Sequence, residues 1–216
     1  IFGVCYPTSF ANYPYLYGAG GSSAGTATGM LFYPSGQIEN GFYTDFMGIA
    51  PSGTVAINNL YLISTAYNGT RTLYINGTSV VSGTPSGTKN VSVINNFVGR
   101  DQINNNEFFY GRINEFIIYK KALSAAEILK VEAYLAAKYG LQLNTTGGGT
   151  SGDLVSSAGT TYWDASANTG YSNEVVVIGK DNSSGLTQKQ AKSTDDSVRV
   201  FVSTLAANNS TNAGTI

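Results

Sequence analysis

The stretch that decides the fold is Arg71-Thr72-Leu73-Tyr74-Ile75-Asn76-Gly77-Thr78-Ser79-Val80-Val81. Two β-prone runs flank an Asn-Gly pair. Both central residues of a type I′ turn need positive φ, and Asn-Gly meets that need at low cost. The stretch therefore predicts a tight hairpin, with residues 71–75 lying against 78–81.

Strand signals continue on both sides. Before the hairpin come a β-prone run at residues 59–67 and a second hairpin, 29–33 and 37–46, folded about Pro34-Ser35-Gly36. Tyr13-Pro14-Tyr15-Leu16-Tyr17 alternates with period two, and Pro14 confines it to an edge or a strand start. Residues 18–25 are small and read as a loop. Residues 1–6 read as a strand that ends in a turn at Pro7-Thr8-Ser9. After the hairpin, residues 91–93, 97–98 and 108–119 supply further strands.

One helix follows. Ser124 and Glu127 have capping-box spacing, each satisfying a free amide at the helix start. Ile128, Val131, Leu135 and Tyr139 fall at helical spacing, and Gly140 supplies a left-handed stop. Residues 143–152 are rich in Thr and Gly and read as a linker. Beyond it, short strands at 160–163, 174–179 and 197–202 sit in a polar background. The expected organisation is an all-β antiparallel jelly-roll sandwich over 1–142 that ends in the amphipathic helix, the linker, and a second, partial β module over 153–216.

Composition narrows the chemistry. Of 216 residues, 42% are hydrophobic and 12% are charged. The charged share is about half of the ~25% usual in soluble domains. Gly, Ser, Thr and Asn take its place, which suits a turn-rich protein with a neutral surface of hydroxyls and amides. At a net charge of −1 and with no basic stripe, binding of nucleic acid and polybasic attachment to membranes lack their source. No window approaches ~18 consecutive apolar residues, so no transmembrane helix is expected. The chain has no histidine, which excludes Ser-His-Asp triads, Cys-His dyads and His-ligated metals together. The single cysteine, Cys5, rules out an internal disulfide. It reads as a small buried hydrophobe or as a lipid-modified residue, although Phe2-Gly3-Val4-Cys5 is a poor lipidation box. A chain that opens at Ile1 without a signal peptide is expected to be a processed form or a piece of something longer.

Longer motifs carry a resemblance. They are Phe97-Val98-Gly99-Arg100, then Phe109-Tyr110-Gly111-Arg112-Ile113-Asn114-Glu115-Phe116-Ile117-Ile118-Tyr119, then Ala122-Leu123-Ser124-Ala125-Ala126-Glu127-Ile128, and Tyr134-Leu135-Ala136-Ala137-Lys138-Tyr139-Gly140-Leu141. With the central hairpin, they make residues 1–142 resemble the laminin G-like, concanavalin A-like jelly-roll domains of bacterial surface proteins. The resemblance implies that residues 1–9 form an inner strand, that Gly111 lets its strand pass close to a neighbour, that the helix caps an open end of the sandwich, and that the family's first strands are missing or come from another chain. Residues 153–193, with Gly159-Thr160-Thr161-Tyr162-Trp163-Asp164 and Ile178-Gly179-Lys180-Asp181, resemble a module that follows such jelly rolls in secreted proteins of Bacteroidetes-type bacteria. That layout implies an extracellular or outer-surface location and type IX secretion cargo.

Candidate sites follow. Glycosidases of the concanavalin A-like fold need two carboxylates across the sugar, and the Glu-x-Asp-x-Glu triplet of the laminarinase-type enzymes does not occur here, so no catalytic residue is assigned. Asp101, Asn104 and Glu107, with Asn105 and Asn106, crowd one loop with oxygen ligands of the kind calcium takes, or form an ordinary Asn-rich turn. Asp181 with Asn182, and Asp195 with Asp196, are a weaker second cation candidate. Tyr13, Tyr15, Tyr17 and Trp163 are candidates for stacking on sugars, or else for sheet packing. Asp196-Ser197-Val198 resembles the O-glycosylation triplet of Bacteroidetes-type secreted proteins, with Ser197 as acceptor. The Asn-x-Ser/Thr triplets at Asn68, Asn76, Asn90 and Asn144 are what such a composition produces by chance. The expected function is a non-enzymatic adhesive or structural module that contacts surface proteins, glycans or further copies of itself. The alternatives are a carbohydrate-binding module, with or without assistance from calcium, an accessory domain of a secreted enzyme, and a fibre subunit completed by donated strands.

Overall fold

A computed structural model describes residues 1–45, 49–91, 94–103, 106–144, 151–171, 175–193 and 196–216. The chain divides into two compact units, one of residues Ile1–Ile75 and Ser79–Ala122, the other of Asn76–Thr78 and Leu123–Ile216.

The first unit is an antiparallel jelly-roll sandwich. One sheet has the order β7-β6-β5-β1-β9, from β1 (Phe2–Ser9), β5 (Tyr61–Tyr67), β6 (Arg71–Ile75), β7 (Thr78–Gly83) and β9 (Tyr110–Ile117). The other has the order β4-β3-β2-β8, from β2 (Tyr15–Gly20), β3 (Ala27–Phe32), β4 (Ile38–Phe42) and β8 (Phe97–Val98). Strand alternation turns one side chain in two toward the facing sheet. Cys5, Leu16, Met30, Phe32, Ile38, Ile63, Leu73 and Ile75 meet there with Phe10, Ala50 and Val55. Each large apolar side chain buried in this layer contributes about 1.5–3 kcal/mol.

The central hairpin forms as its sequence predicts, with Asn76 at φ 48 and Gly77 at φ 76. β1 occupies an interior place, between β5 and β9. It also runs through the expected turn at Pro7-Thr8-Ser9 as far as Ser9. Pro7 has no N–H to donate, and a register irregularity between Pro7 and Ser9 accommodates it. Opposite it, a Cβ on Gly111 (φ +139) would lie 2.1 Å from the Tyr6 carbonyl oxygen. Glycine at 111 is therefore what permits the β1–β9 pairing. β2 likewise enters the expected loop and ends at Gly20. At Gly18 a Cβ would sit 2.8 Å from the Gln102 backbone nitrogen, so this glycine serves close approach. The 91–93 strand and the far end of the 37–46 strand fall partly outside the described residues.

Helix α1 (Ala125–Tyr139) has the full capping box, and Gly140 closes it at φ 66. Its buried face is Ile128, Glu132, Ala133, Leu135, Ala136 and Ala137, with Val131 and Tyr139 only half-buried. The stripe is thus rotated from the expected one, because small alanines allow closer approach than the larger residues beside them. The helix packs against β10 (Leu154–Val155) and β13 (Leu186–Gln188). By its packing it groups with the second unit, which begins at Leu123, and not with the 1–142 segment.

The rest of that unit is three small antiparallel ribbons: β10 with β11 (Thr161–Trp163), β12 (Gly179–Asp181) with β13, and β14 (Gln190–Lys192) with β15 (Arg199–Phe201). The expected 174–179 strand is displaced: Glu174 lies outside the described residues, 175–178 are not in a strand, and pairing starts at Gly179. Amide side chains hold the tail. Gln190 donates to the Ala206 carbonyl (3.0 Å) and accepts from its N–H (2.9 Å). Asn209 accepts from the backbone of Lys189 and Gln190, and Asn212 donates to the Thr204 carbonyl. No helix among the described residues is long and apolar enough to cross a membrane.

Candidate functional site

The outer face of the four-stranded sheet gathers most of the unusual chemistry of the sandwich. In β4, Ile38 lies in the core, and Asn40 reaches the facing sheet by accepting from the Thr65 hydroxyl (2.7 Å). Period two then sends Glu39 outward. In register across the sheet, Glu39 pairs with Leu31, and Leu31 with Tyr15. The Tyr15 ring lies over Gly29, where a Cβ would be 2.5 Å from Cε1.

Glu39 has no exposed surface. One carboxylate oxygen accepts from the Tyr33 phenol, and the other has no hydrogen-bond partner among the described residues. Burial pushes this carboxyl above its ordinary value, and the Tyr33 hydrogen bond acts in the opposite direction. Tyr33 forms a perpendicular pair with Tyr13, with ring centroids 5.4 Å apart and planes at 88°. Tyr13 is 47% exposed. Its φ is 52°, beside Asn12 at 59°, a left-handed step that non-glycine residues adopt at a cost. The Tyr15 hydroxyl is raised by burial first and then by the charges of Glu107, Asp101 and Glu39. Exposed aromatic surface thus lies beside a buried carboxyl.

The sequence-predicted site residues divide. Tyr13 and Tyr15 share this face. Tyr17 is buried, with its ring 5.4 Å from Phe116, and offers no free face for stacking. Asp101 is also buried, and its carboxylate accepts from the Ile103 N–H (3.1 Å), which closes the loop. Asn104 lies outside the described residues. Among the described residues no group of three His, Cys, Asp or Glu is placed to hold a metal; the calcium candidate, which includes Asn104, lies partly outside them.

In the second unit, Trp163 pairs with Leu154 and is half-buried. Asp181, the other cation candidate, accepts from the Ser157 N–H and hydroxyl, both at 2.7 Å, and so pins two loops. These hydrogen bonds hold its carboxyl below the usual aspartate range. Asp195 is outside the described residues. Ser197 is exposed between β14 and β15, next to Asp196, which takes Arg199 in two contacts of 2.7 and 2.6 Å. Cys5 has no exposed surface, and burial raises its thiol.

Glu39 and Tyr33 are the residues that the sequence reading passed over. The signal was present: Ile38, Asn40 and Phe42 claim one face of β4 and leave Glu39 on the other.

Residues 5–129 match the family described as the Concanavalin A-like lectin/glucanases superfamily, over more than half of the chain. The chain belongs to that superfamily. Residues 127–216 match a domain of unknown function (DUF8202), which starts within α1. That start agrees with the grouping of the helix with the second unit. No curated protein and no solved structure matches the chain. As a member of a superfamily that contains both lectins and glucanases, the chain calls for a test of its acids. On the outer face described above, Glu39 is sealed from solvent and tied to a tyrosine.

Proposed function

We propose that this chain is a non-enzymatic contact module of a large bacterial surface or secreted protein, with an adhesive or structural role outside the cell. The observation that carries the reading is the state of the outer face of the four-stranded sheet. Its acid Glu39 is fully buried, and the aromatic Tyr13 beside it is presented to solvent. A glycosidase needs two carboxylates in contact with the sugar, and a sealed carboxylate cannot serve as one of them. The sparse charge and the Ser/Thr/Asn surface support a site of many weak contacts. Its partners would be surface glycans, other surface proteins or further copies of the chain. The Bacteroidetes-type secretion context, with export by the type IX route, is proposed on the motif resemblance of both units.

A second reading, carbohydrate binding, is favoured by the Tyr13–Tyr33 corner, because sugar rings stack on aromatic faces through their apolar sides. Calcium assistance through Asp101, Asn104 and Glu107 remains part of that proposal.

Multivalent display tests the adhesive reading. Beads carrying the chain at rising density are presented to polysaccharide-coated surfaces. Linked weak sites raise the effective concentration, so retention rises more steeply than density. Absence of retention at every density would remove the adhesive reading.

A further inference from the structure

The carbohydrate reading does not specify the charge of the sugar, and the outer face does. We propose that the Tyr13–Tyr33 corner selects an amino sugar and seats its ammonium group against the two rings, with the Glu39 carboxylate behind them. The inference rests on the carbohydrate reading and narrows it.

Three observations converge. The rings of Tyr13 and Tyr33 pack edge to face at 88° with centroids 5.4 Å apart, and Tyr13 is 47% exposed, so aromatic surface at this corner faces solvent. The faces of aromatic rings carry negative potential and attract cations. The Tyr33 phenol donates to Glu39, and a phenol that donates to a carboxylate has a more electron-rich ring. Glu39 is fully buried, and its second oxygen has no hydrogen-bond partner among the described residues, so the Tyr33 phenol is the carboxylate's one partner among them. Glu107 and Asp101 act on the neighbouring Tyr15 with the same sign.

A neutral sugar would gain stacking from this corner but nothing from the field. An anionic sugar would be repelled. An ammonium gains from both the rings and the buried charge. Glu39 is a positioning residue here: it acts through Tyr33 and does not touch the ligand.

The test compares a glucosamine tetramer, whose amines keep part of their protons at neutral pH, with its fully N-acetylated counterpart, titrated into the full chain by NMR at neutral pH. The two probes differ in the charge on nitrogen. The glucosamine tetramer is expected to bind on the order of tenfold more tightly, with shifts at Tyr13 and Tyr33. Tyr13→Ala, at an exposed position, is expected to abolish the preference. Tyr33→Phe, which keeps the ring and loses the link to Glu39, is expected to reduce it. Equal binding of both tetramers would overturn the ammonium proposal and leave the carbohydrate reading standing. Binding of neither would overturn the ammonium proposal and confine the carbohydrate reading to sugars without a nitrogen substituent on the ring. A preference that survives Tyr13→Ala would place the selectivity elsewhere and overturn the proposal.

Discussion

The Tyr33 hydroxyl donates to the Glu39 carboxylate, and Glu39 has no exposed surface although it points away from the sandwich core. Burial raises the Glu39 carboxyl, so the folded protein holds that proton to higher pH than the unfolded chain does. The stability linked to this group is therefore greatest at low pH and falls as pH rises from 4.5, the ordinary glutamate value, through the raised value of the folded state. Above that window the cost of a buried charge is fully present. Glu39→Gln removes the charge and keeps an oxygen for Tyr33. Its urea midpoint at neutral pH is expected to equal or exceed that of the parent, with the difference closing toward pH 4.5. A lower midpoint for the variant at neutral pH would contradict this account.

Tyr33→Phe leaves the buried carboxylate without its donor. The expected loss is about 1–3 kcal/mol at neutral pH, smaller in acid, where Glu39 is protonated. Urea unfolding at the two pH values measures both effects. An equal loss at both would mean that the contribution of the hydroxyl does not depend on the charge of Glu39.

Gly111 and Gly69 form a natural comparison. Both have positive φ, 139° and 100°, but a Cβ at 111 would press on the Tyr6 carbonyl oxygen at 2.1 Å, and one at 69 would meet nothing within 4 Å. Gly69→Ala is expected to cost about 1–2 kcal/mol for the backbone alone. Gly111→Ala adds a steric clash in the β1–β9 pairing and is expected to cost about 2–4 kcal/mol. Thermal midpoints of the two variants give the order, and a reversed order would show that β9 can shift freely.

Asp181 ties Ser157 to the β12–β13 turn. Its carboxyl lies below the ordinary aspartate value of 3.8, so its stabilisation is present above that pH and is lost as pH falls through the lower folded value. Asp181→Asn is expected to lower the midpoint of the second unit at neutral pH, with a smaller effect in strong acid. Hydrogen exchange at the Ser157 amide reads the contact directly, and unchanged protection in the variant would contradict the role given to Asp181.

How much of this was legible depended on the range of the interactions involved. The Asn76-Gly77 turn and the Ser124/Glu127 capping box are written within a few residues, and both form as the sequence predicts. So does the need for glycine at 111, although its partner, Tyr6, is distant in the chain. The burial of Glu39 was not legible as burial, because strand alternation predicts its direction but not what covers that face. Arg71 shows the opposite case. Its spacing with Leu73 and Ile75 assigns it to the inner face of β6, where it lies over the Phe42 ring at 4.1 Å and donates to the Thr28 hydroxyl. Its charge argued for solvent, but alternation and the aromatic contact prevail. For Tyr17 the sequence leaves stacking and sheet packing open, and the structure selects packing, after a bulge between Tyr15 and Tyr17 that period-two alternation does not show.

The most direct test of the central claim, contact without catalysis, is one incubation with two readouts. The chain is mixed with insoluble chitin, chitosan, cellulose and β-1,3-glucan, and both the protein in the pellet and the reducing ends in the supernatant are measured over time. The account predicts that the chain sediments with at least one polysaccharide, that Tyr13→Ala sediments less, and that reducing ends stay at the level of the protein-free control. Reducing ends that accumulate with the chain and disappear with Glu39→Gln or Glu107→Gln would contradict it, and would make the outer face an active site.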